Sequence, residues 1–144
     1  MQWGELDFLV IDSPPGTGDE PLSVCQLIEQ PRGAIVVTTS QQLAVIDVSK
    51  SINFCSKLNM PVIGVIENMS GFVCPHCGKE TLLFKSGGGE SLSKEAGVPF
   101  LGRIPLDPEL VESCDEGRPY LYHYSRAGTA RAFEKAFKPI LELD

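Results

Sequence analysis

Apolar runs alternate with amphipathic stretches along the chain. Four runs have the nearly continuous apolar character of strands that are covered on both faces: 6–11, 33–39, 62–66 and 100–104. Apolar side chains recur at helical spacing in four longer stretches: 20–29, 41–58, 89–96 and 126–143. Strands that alternate with helices predict an α/β fold, in which flanking helices cover a mostly parallel sheet.

Four residues follow the predicted strands at the places where a parallel sheet binds its ligands. Asp12, Ser40 and Pro105 come directly after their apolar runs, and Asn68 lies two residues after the run 62–66. The carboxyl ends of parallel strands meet at one edge of a sheet, and ligands bind in the loops there. The stretch 71–83, called the CxxC loop below for its two cysteines, interrupts the alternation. It is predicted to be an inserted metal loop with a short ribbon.

The amino-acid composition mainly excludes classes of protein and partner. Of the 144 residues, 42% are hydrophobic and 22% are charged, so the chain is expected to form a single folded domain over residues 1–144. A net charge of −7 disfavours nucleic acid as a partner. No apolar run approaches the roughly 20 residues of a membrane span, and the N-terminus lacks signal-peptide features, so no membrane association is predicted. Five cysteines without framework spacing favour a reducing, cytoplasmic location.

Two cysteines in the CxxC loop are the strongest chemical signal. Cys74 and Cys77 flank a Pro-His pair and precede Gly78, a spacing at which two thiolates bind one metal ion or one edge of a cluster. A redox-active pair is less favoured, because such pairs usually begin a helix and here a turn into a ribbon follows. Structural zinc needs two more ligands, for which His76 and the distant His123 are candidates. A site shared by two copies of the chain would supply four thiolates by symmetry.

The other cysteines are predicted to be structural. Cys25, Cys55 and Cys114 each have apolar neighbours at helical spacing, and free cysteine packs as a small hydrophobic residue. His123 lies among three tyrosines, which favours a packed aromatic cluster over a metal ligand.

The segment Asp-Ser-Pro-Pro-Gly-Thr-Gly at residues 12–18 has the features of a loop that senses a nucleotide. Asp12, at the end of a predicted buried strand, could hold a magnesium-bound water, while Gly16 and Gly18 would let backbone amides approach a terminal phosphate. A plain strand-to-helix turn is the alternative, since Pro and Gly occur in many loops.

Two further loops give weaker signals. Asn68 is placed to contact the edge of a purine, or to cap a turn. The glycine run 87–89 resembles a phosphate loop, but no Lys-Ser or Lys-Thr pair follows it, so it is not a Walker A motif. It is predicted to be a flexible hinge into a helix.

Four motifs, in this order, together resemble the Mrp/Nbp35 (ApbC-type) family of P-loop ATPases, which are iron–sulfur cluster carriers: 7–19, 65–70, 74–77 and 102–107. The resemblance extends over nearly the whole chain. It implies a SIMIBI-type P-loop NTPase fold, ATP and Mg²⁺ as cofactors, and transfer of a cluster to apo acceptor proteins. Cys74 and Cys77 would pair with the same residues of a second copy, in a homodimer that bridges a labile [4Fe–4S] cluster.

The resemblance also implies roles for residues on the nucleotide side. Asp12 would be the metal-side acid of the Walker B and switch II region, with Gly16 near the terminal phosphate. Asn68 and the loop Pro105–Asp107 would flank the adenine.

The chain departs from that family in lacking the Lys-Gly-Gly-Val-Gly-Lys-type P-loop and the switch I segment. We expect it to be the C-terminal portion of such a nucleotide-binding domain, with a separate N-terminal P-loop half as a candidate partner. Because nothing neutralises the triphosphate, negligible ATPase activity is predicted for the isolated chain, and turnover comparable to that of a full-length relative would contradict this. In the family the P-loop strand lies between the strand ending at Asp12 and the strand at Ile35–Val37. These two strands are expected to be left unbridged or to pair directly.

Two other functions stay open. One is a zinc-binding, non-enzymatic interaction module derived from the ATPase, which metal identity would distinguish. The other is a ParA- or MinD-like ATPase that positions cargo. Such relatives typically lack the cysteine pair and often carry a membrane-targeting tail, whereas the tail of this chain ends in acidic residues and would be a poor anchor.

Overall fold

The computed structural model describes residues 4–28, 30–124 and 128–143. The elements in these ranges, in chain order, are α1 (Asp19–Leu27), β1 (Ala34–Thr38), α2 (Gln42–Lys57), β2 (Val62–Glu67), β3 (Phe72–Val73), β4 (Glu80–Thr81), α3 (Gly88–Ala96), β5 (Phe100–Arg103), α4 (Pro108–Asp115), α5 (Tyr120–His123) and α6 (Gly128–Leu141). None of the helices in the described part of the chain has the length and apolarity needed to cross a bilayer.

Three of the four predicted strands form a parallel sheet in the order β1-β2-β5. β2 is central, and its Val65 lies opposite Val36 of β1 and Phe100 of β5. The predicted ribbon is also present, since β3 and β4 pair in antiparallel fashion within the CxxC loop. A single bridge from Phe72 to Leu106 joins this ribbon to the segment that follows β5.

Each face of the sheet packs against its own helices. On one face, Val36 and Val65 contact Ile52 of α2 and Leu92 of α3. The cluster on the other face contains Ile66, Leu101, Ile104 and Ala136, the last of which belongs to α6. Neighbouring residues of β2 therefore enter opposite cores, which explains why this strand is apolar along its length.

The prediction of a buried strand at 6–11 is wrong. These residues form no strand, their apolar side chains are exposed, and Val10 is 86% exposed. No backbone hydrogen bond joins residues 4–17 to any other residue that the structure describes. A parallel strand is stable only when a neighbour accepts and donates its backbone hydrogen bonds. The sequence predicted that the segment before Asp12 and β1 would either pair directly or be left unbridged, and the structure shows them unbridged. Val37 of β1 is exposed.

The sequence pattern missed two helices, α4 and α5. α4 carries a clear start signal, because Asp107 caps its first turn by accepting from the Glu109 amide at 2.9 Å and Pro108 occupies the first helical position. The predicted helix at 126–143 is observed from Gly128 onwards, and its first two predicted residues lie outside the described ranges.

Candidate metal centre and adjoining loops

The two thiols lie at the turn of the β3-β4 ribbon. The Cys74 amide donates to the Lys79 carbonyl at 3.0 Å, and the Gly78 amide donates to the Cys74 carbonyl at 2.8 Å. Gly78 has a φ of +68°, a left-handed conformation that glycine adopts without strain. The hairpin therefore closes tightly around residues 74–78 and holds both cysteines on one short turn.

The turn favours the metal-binding form of Cys74. Backbone N–H groups of Cys77 and His76 and a hydrogen bond from the Cys77 side chain lower the pKa of the Cys74 thiol, against a small opposing effect of desolvation. Donors directed at the sulfur stabilise the thiolate, which is the form that ligates metals. Cys77 is exposed and Cys74 is half-buried, so a ligand approaching from solvent can reach the pair.

The chain does not complete a four-ligand metal site within its described residues. No group of three or more His, Cys, Asp or Glu side chains is placed there to hold a metal ion. His123 contacts Tyr122 edge-on, with ring centroids 5.3 Å apart, but both side chains are exposed and Tyr122 is 83% exposed, so the predicted packed aromatic cluster does not enclose His123. Two thiolates are half of the donor set that tetrahedral zinc or an iron–sulfur cluster requires, and their chemistry suits either.

The remaining cysteines lie elsewhere. Cys55 is buried, as predicted, and burial together with the nearby Cys25 raises the pKa of its thiol. Cys25 is half-buried. The prediction of a buried Cys114 is wrong, because that side chain of α4 is exposed. Apolar neighbours at helical spacing identify a helix face, but they do not show whether another element covers it.

The segments that leave β2 and β5 run side by side towards the CxxC loop. The Ile104 amide donates to the Glu67 carbonyl at 2.8 Å, and the Ser70 amide donates back to the Ile104 carbonyl at 2.9 Å. The Leu106 amide then donates to the Gly71 carbonyl at 2.8 Å. These bonds bring the predicted site residues Asn68 and Pro105 to the same end of the sheet as the base of the CxxC loop.

Asn68 is fixed by its neighbours. Its amide donates to the Thr38 carbonyl at 2.7 Å, and its side-chain oxygen accepts from the Met69 amide at 2.9 Å. Met69 has a φ of +54°, so the chain turns sharply directly after Asn68. The side chain of Asn68 is half-buried at this turn.

Asp107 holds α4 and α5 together. Its carboxylate caps α4 and accepts from the Tyr120 hydroxyl at 2.6 Å. Burial raises the pKa of Asp107, but hydrogen bonds from Thr129, Tyr120 and the first amides of α4 outweigh it, so the pKa lies below the ordinary value. Burial and the bond to Asp107 raise the pKa of Tyr120 to about 12.

The Asp107 contacts predict a characteristic pH dependence of stability. Asp107→Ala should lower the free energy of unfolding by about 1–2 kcal/mol near neutral pH, since it removes a helix cap and the half-buried acceptor of the Tyr120 hydroxyl. The folded pKa of Asp107 is depressed, so its contribution is complete above the unfolded value of about 4 and is lost as the pH falls through the folded value. The contribution of Tyr120 has the opposite sign: it is complete below about pH 10 and is lost as the pH rises towards the folded pKa.

Urea unfolding at a series of pH values would measure this dependence. Asp115→Ala, which removes an exposed carboxylate at the end of the same helix, is the matched control. An equal loss for both variants, or an Asp107→Ala deficit that persists unchanged at pH 2, would contradict the prediction.

Asp12 and Gly16 are not joined to these loops. Both are exposed, and Gly16 has a φ of +105°. No hydrogen bond or ion pair within the described residues links either one to the segments after β2 and β5. Asp12 therefore does not end a buried strand in the described part of the chain, and no bond there joins it to Asn68 or to the loop after β5.

Glu67, the last residue of β2, belongs to these loops although no sequence motif indicated it. Its side chain is fully buried, and its carboxylate accepts from Ser70 and from the Gly87 and Gly89 amides. The available signal was an ionisable residue at the end of an otherwise apolar strand, because a charge at such a position is kept only where polar groups surround it.

The chain is similar to proteins whose names refer to iron transfer or to Fe-S clusters. A model of the ParA class, described as the NUBPL iron-transfer P-loop NTPase, matches residues 1–141. The chain is 49% identical over 144 residues to the cytosolic Fe-S cluster assembly factor NUBP2 of Gallus gallus, covering 99% of this chain and 53% of that protein. It is 53% identical over 140 residues to the iron-sulfur cluster carrier protein of Methanocaldococcus jannaschii, covering 97% of this chain and 48% of that protein. The chain thus spans about half the length of these relatives.

Solved structures agree with the fold. A nucleotide-binding protein of Archaeoglobus fulgidus in complex with ADP superposes with a TM-score of 0.70 at 39% identity, over 89% of this chain and 54% of that one. The MinD cell division protein of Aquifex aeolicus superposes with a TM-score of 0.72, over 98% of this chain and 56% of that one. Because the identity to MinD is only 18%, that match shows the shared fold alone.

Proposed function

The chain belongs to the ParA-type family of NUBPL iron-transfer P-loop NTPases, and from this premise we propose that it is the cluster-carrying part of an iron–sulfur carrier. Two copies present their CxxC loops to each other, and Cys74 and Cys77 of each hold one [4Fe–4S] cluster, which is the cargo. The cluster is then passed to apo acceptor proteins. The named functions of the relatives also support a cytosolic setting.

One observation carries this proposal: a solvent-accessible pair of thiols on a closed turn, without further ligands among the described residues. A labile cargo requires ligands that solvent and acceptors can reach, whereas a structural zinc site is closed by four ligands of its own chain. An incomplete but pre-shaped half-site suits a cluster shared across a two-fold axis. Amide donors to the Cys74 sulfur suit the same cargo, because hydrogen bonds to cluster sulfurs help to set cluster properties.

Anaerobic reconstitution tests the proposal. The purified chain would be supplied with iron and sulfide, and absorbance near 400 nm, metal content and mass in solution would be measured on one sample. A brown dimer with about four irons per pair of chains is expected. A colourless protein that retains tightly bound zinc would instead favour the interaction module. A monomer that binds neither would contradict both.

For the nucleotide side we propose a divided site. Asn68 and the loop Pro105–Asp107 would flank the adenine, with Asp107 acting mainly by fixing the loop through its cap of α4. Asp12 and Gly16 would lie on the phosphate side, once the exposed segment 6–11 is paired by a strand from an N-terminal P-loop half. The ADP complex of the A. fulgidus protein supports nucleotide binding in such an assembly. We propose residues 1–144 as the C-terminal portion of the nucleotide-binding domain, residues 71–83 as its metal loop, and no ATP hydrolysis by this portion alone.

A further inference from the structure

A buried carboxylate lies where the chain leaves the sheet for the CxxC loop. Glu67 ends β2 and is 0% exposed. Burying a carboxylate is costly unless hydrogen bonds and charge replace its lost hydration. Two of the groups that do so are the Ser70 hydroxyl, which donates to Oε1 at 2.5 Å, and Nε of Arg103, 3.4 Å from the same oxygen.

A third is the Ser86 hydroxyl, which lies 3.4 Å from Oε1, and backbone amides at the start of α3 surround the carboxylate as well. The Gly87 amide lies 3.0 Å and 3.1 Å from the two carboxylate oxygens, and the Gly89 amide donates to Oε2 at 2.7 Å. The N-terminus of a helix favours a negative charge, so the carboxylate and α3 stabilise each other. Hydrogen bonds from Ser70, Gly87, Ser40 and Gly89 outweigh the effect of burial, which would raise the pKa of Glu67, and the pKa lies below its usual value.

The glycine run 87–89 is built around this carboxylate. Gly87 has a φ of +94°, which favours glycine. A Cβ on Gly88 would lie 2.6 Å from the Ser40 carbonyl oxygen, and one on Gly89 would lie 3.0 Å from the Cβ of Glu67. The glycine run that resembles a phosphate loop thus binds the Glu67 carboxylate of the same chain. These hydrogen bonds hold the run in place, whereas the sequence predicted a flexible hinge there.

The same carboxylate also holds the start of the CxxC loop. Ser70 donates its hydroxyl to Glu67 and its amide to the Ile104 carbonyl, so both of these donors are directed back at the sheet. β3 begins two residues later at Phe72, and Cys74 follows it directly. The position of the first thiol relative to the sheet is therefore set by a short segment that Glu67 holds through Ser70 and that Leu106 holds through Gly71 and Phe72.

We propose that Glu67 is a positioning residue for the cluster-binding thiols: as an internal anion in the Gly87–Gly89 cradle, it anchors Ser70 and thereby holds the CxxC loop in one orientation. The proposal rests on the proposed carrier function for what the thiols bind, but not for the anchoring itself. Glu67 touches neither thiol and acts only through Ser70 and the chain that follows.

Two substitutions test this at different points of the anchor, each with a matched control. Glu67→Gln removes the charge from the cradle, and Glu90→Gln removes the charge from another carboxylate that contacts the same Arg103. Ser70→Ala leaves the carboxylate in place but cuts its link to the CxxC loop. Ser113→Ala removes another serine hydroxyl, which donates to the Arg118 carbonyl at 2.6 Å at the end of α4.

The first readout is the rate at which the reconstituted dimer loses its cluster to an iron chelator, followed near 400 nm. Ser70→Ala should release the cluster about tenfold faster than the unchanged chain, as expected for the loss of one hydrogen bond to a charged group, and Glu67→Gln at least as fast. The iron content at the start should be unchanged, and both controls should release the cluster at the original rate. If Glu67→Gln does not fold, the release rate of Ser70→Ala alone tests the proposal. An unchanged release rate in Ser70→Ala would overturn the proposal.

The second readout, amide hydrogen exchange of the metal-free chain, does not depend on the carrier function. In Ser70→Ala, exchange should accelerate at residues 70–74 but not at Gly87 and Gly89. In Glu67→Gln it should accelerate at both places. If the unchanged chain binds no cluster, the proposed function fails while this readout still decides the anchoring. Unaltered exchange at residues 70–74 in Ser70→Ala would overturn it.

Discussion

Replacing Cys74 or Cys77 by serine is expected to abolish cluster binding, lowering the iron content from about four per dimer to near zero. In a site shared across a two-fold axis each substitution removes two of four ligands, because both copies carry it. A serine hydroxyl is a much poorer ligand for iron than a thiolate. The loss should therefore be nearly complete for either single variant.

Cys114→Ser provides the matched control. Cys114 is exposed, like Cys77, but it lies on α4 and none of its neighbours forms a metal-ligand group in the described part of the chain. Iron, sulfide and absorbance near 400 nm should equal those of the unchanged chain. A cluster that survives in Cys77→Ser, or that disappears in Cys114→Ser, would show that other residues ligate it.

Ile104→Ala is expected to lower the free energy of unfolding by about 2–5 kcal/mol. Ile104 is 2% exposed and packs with Ile66, Leu101 and Ala136 in the core between the sheet and α6. Truncation would leave a cavity among groups that cannot all move, since the backbone of Ile104 is bonded to both Glu67 and Ser70. This loss is a large share of the 5–15 kcal/mol that typically stabilises a domain.

Urea unfolding would measure the change, with two comparisons. Ile104→Val should lose only about 0.5–1.5 kcal/mol. Val111→Ala removes apolar atoms from a side chain that is 54% exposed, and it should change stability by less than about 0.5 kcal/mol. Equal losses for Ile104→Ala and Val111→Ala would contradict the assignment of Ile104 to the core.

Much of the sheet could be predicted because its determinants are local. The three observed strands of the parallel sheet are continuous apolar runs, and the ribbon around Cys74 and Cys77 follows from a spacing and a glycine. Residues 6–11 have the same apolar character, but they form no strand. A run of apolar side chains indicates that a segment is suited to burial. Whether it forms a strand also depends on a neighbouring strand to which its backbone can hydrogen-bond, and that strand lies elsewhere in the chain. The exposure of Cys114 was mispredicted for the same reason.

The sequence by itself determined the α/β architecture, the metal-ligand spacing of the thiol pair and the family resemblance, because periodicity, ligand spacing and motif order are properties of neighbouring residues. Only the tertiary structure decided which groups surround the buried Glu67 carboxylate. Glu67, Ser70 and the Gly87–Gly89 amides are separated by up to 22 positions, and no local pattern shows that the glycine run holds a carboxylate of this chain. Hydrogen bonds between distant residues depend on how helices and strands pack, which is why the anchor of the CxxC loop became visible only in the folded chain.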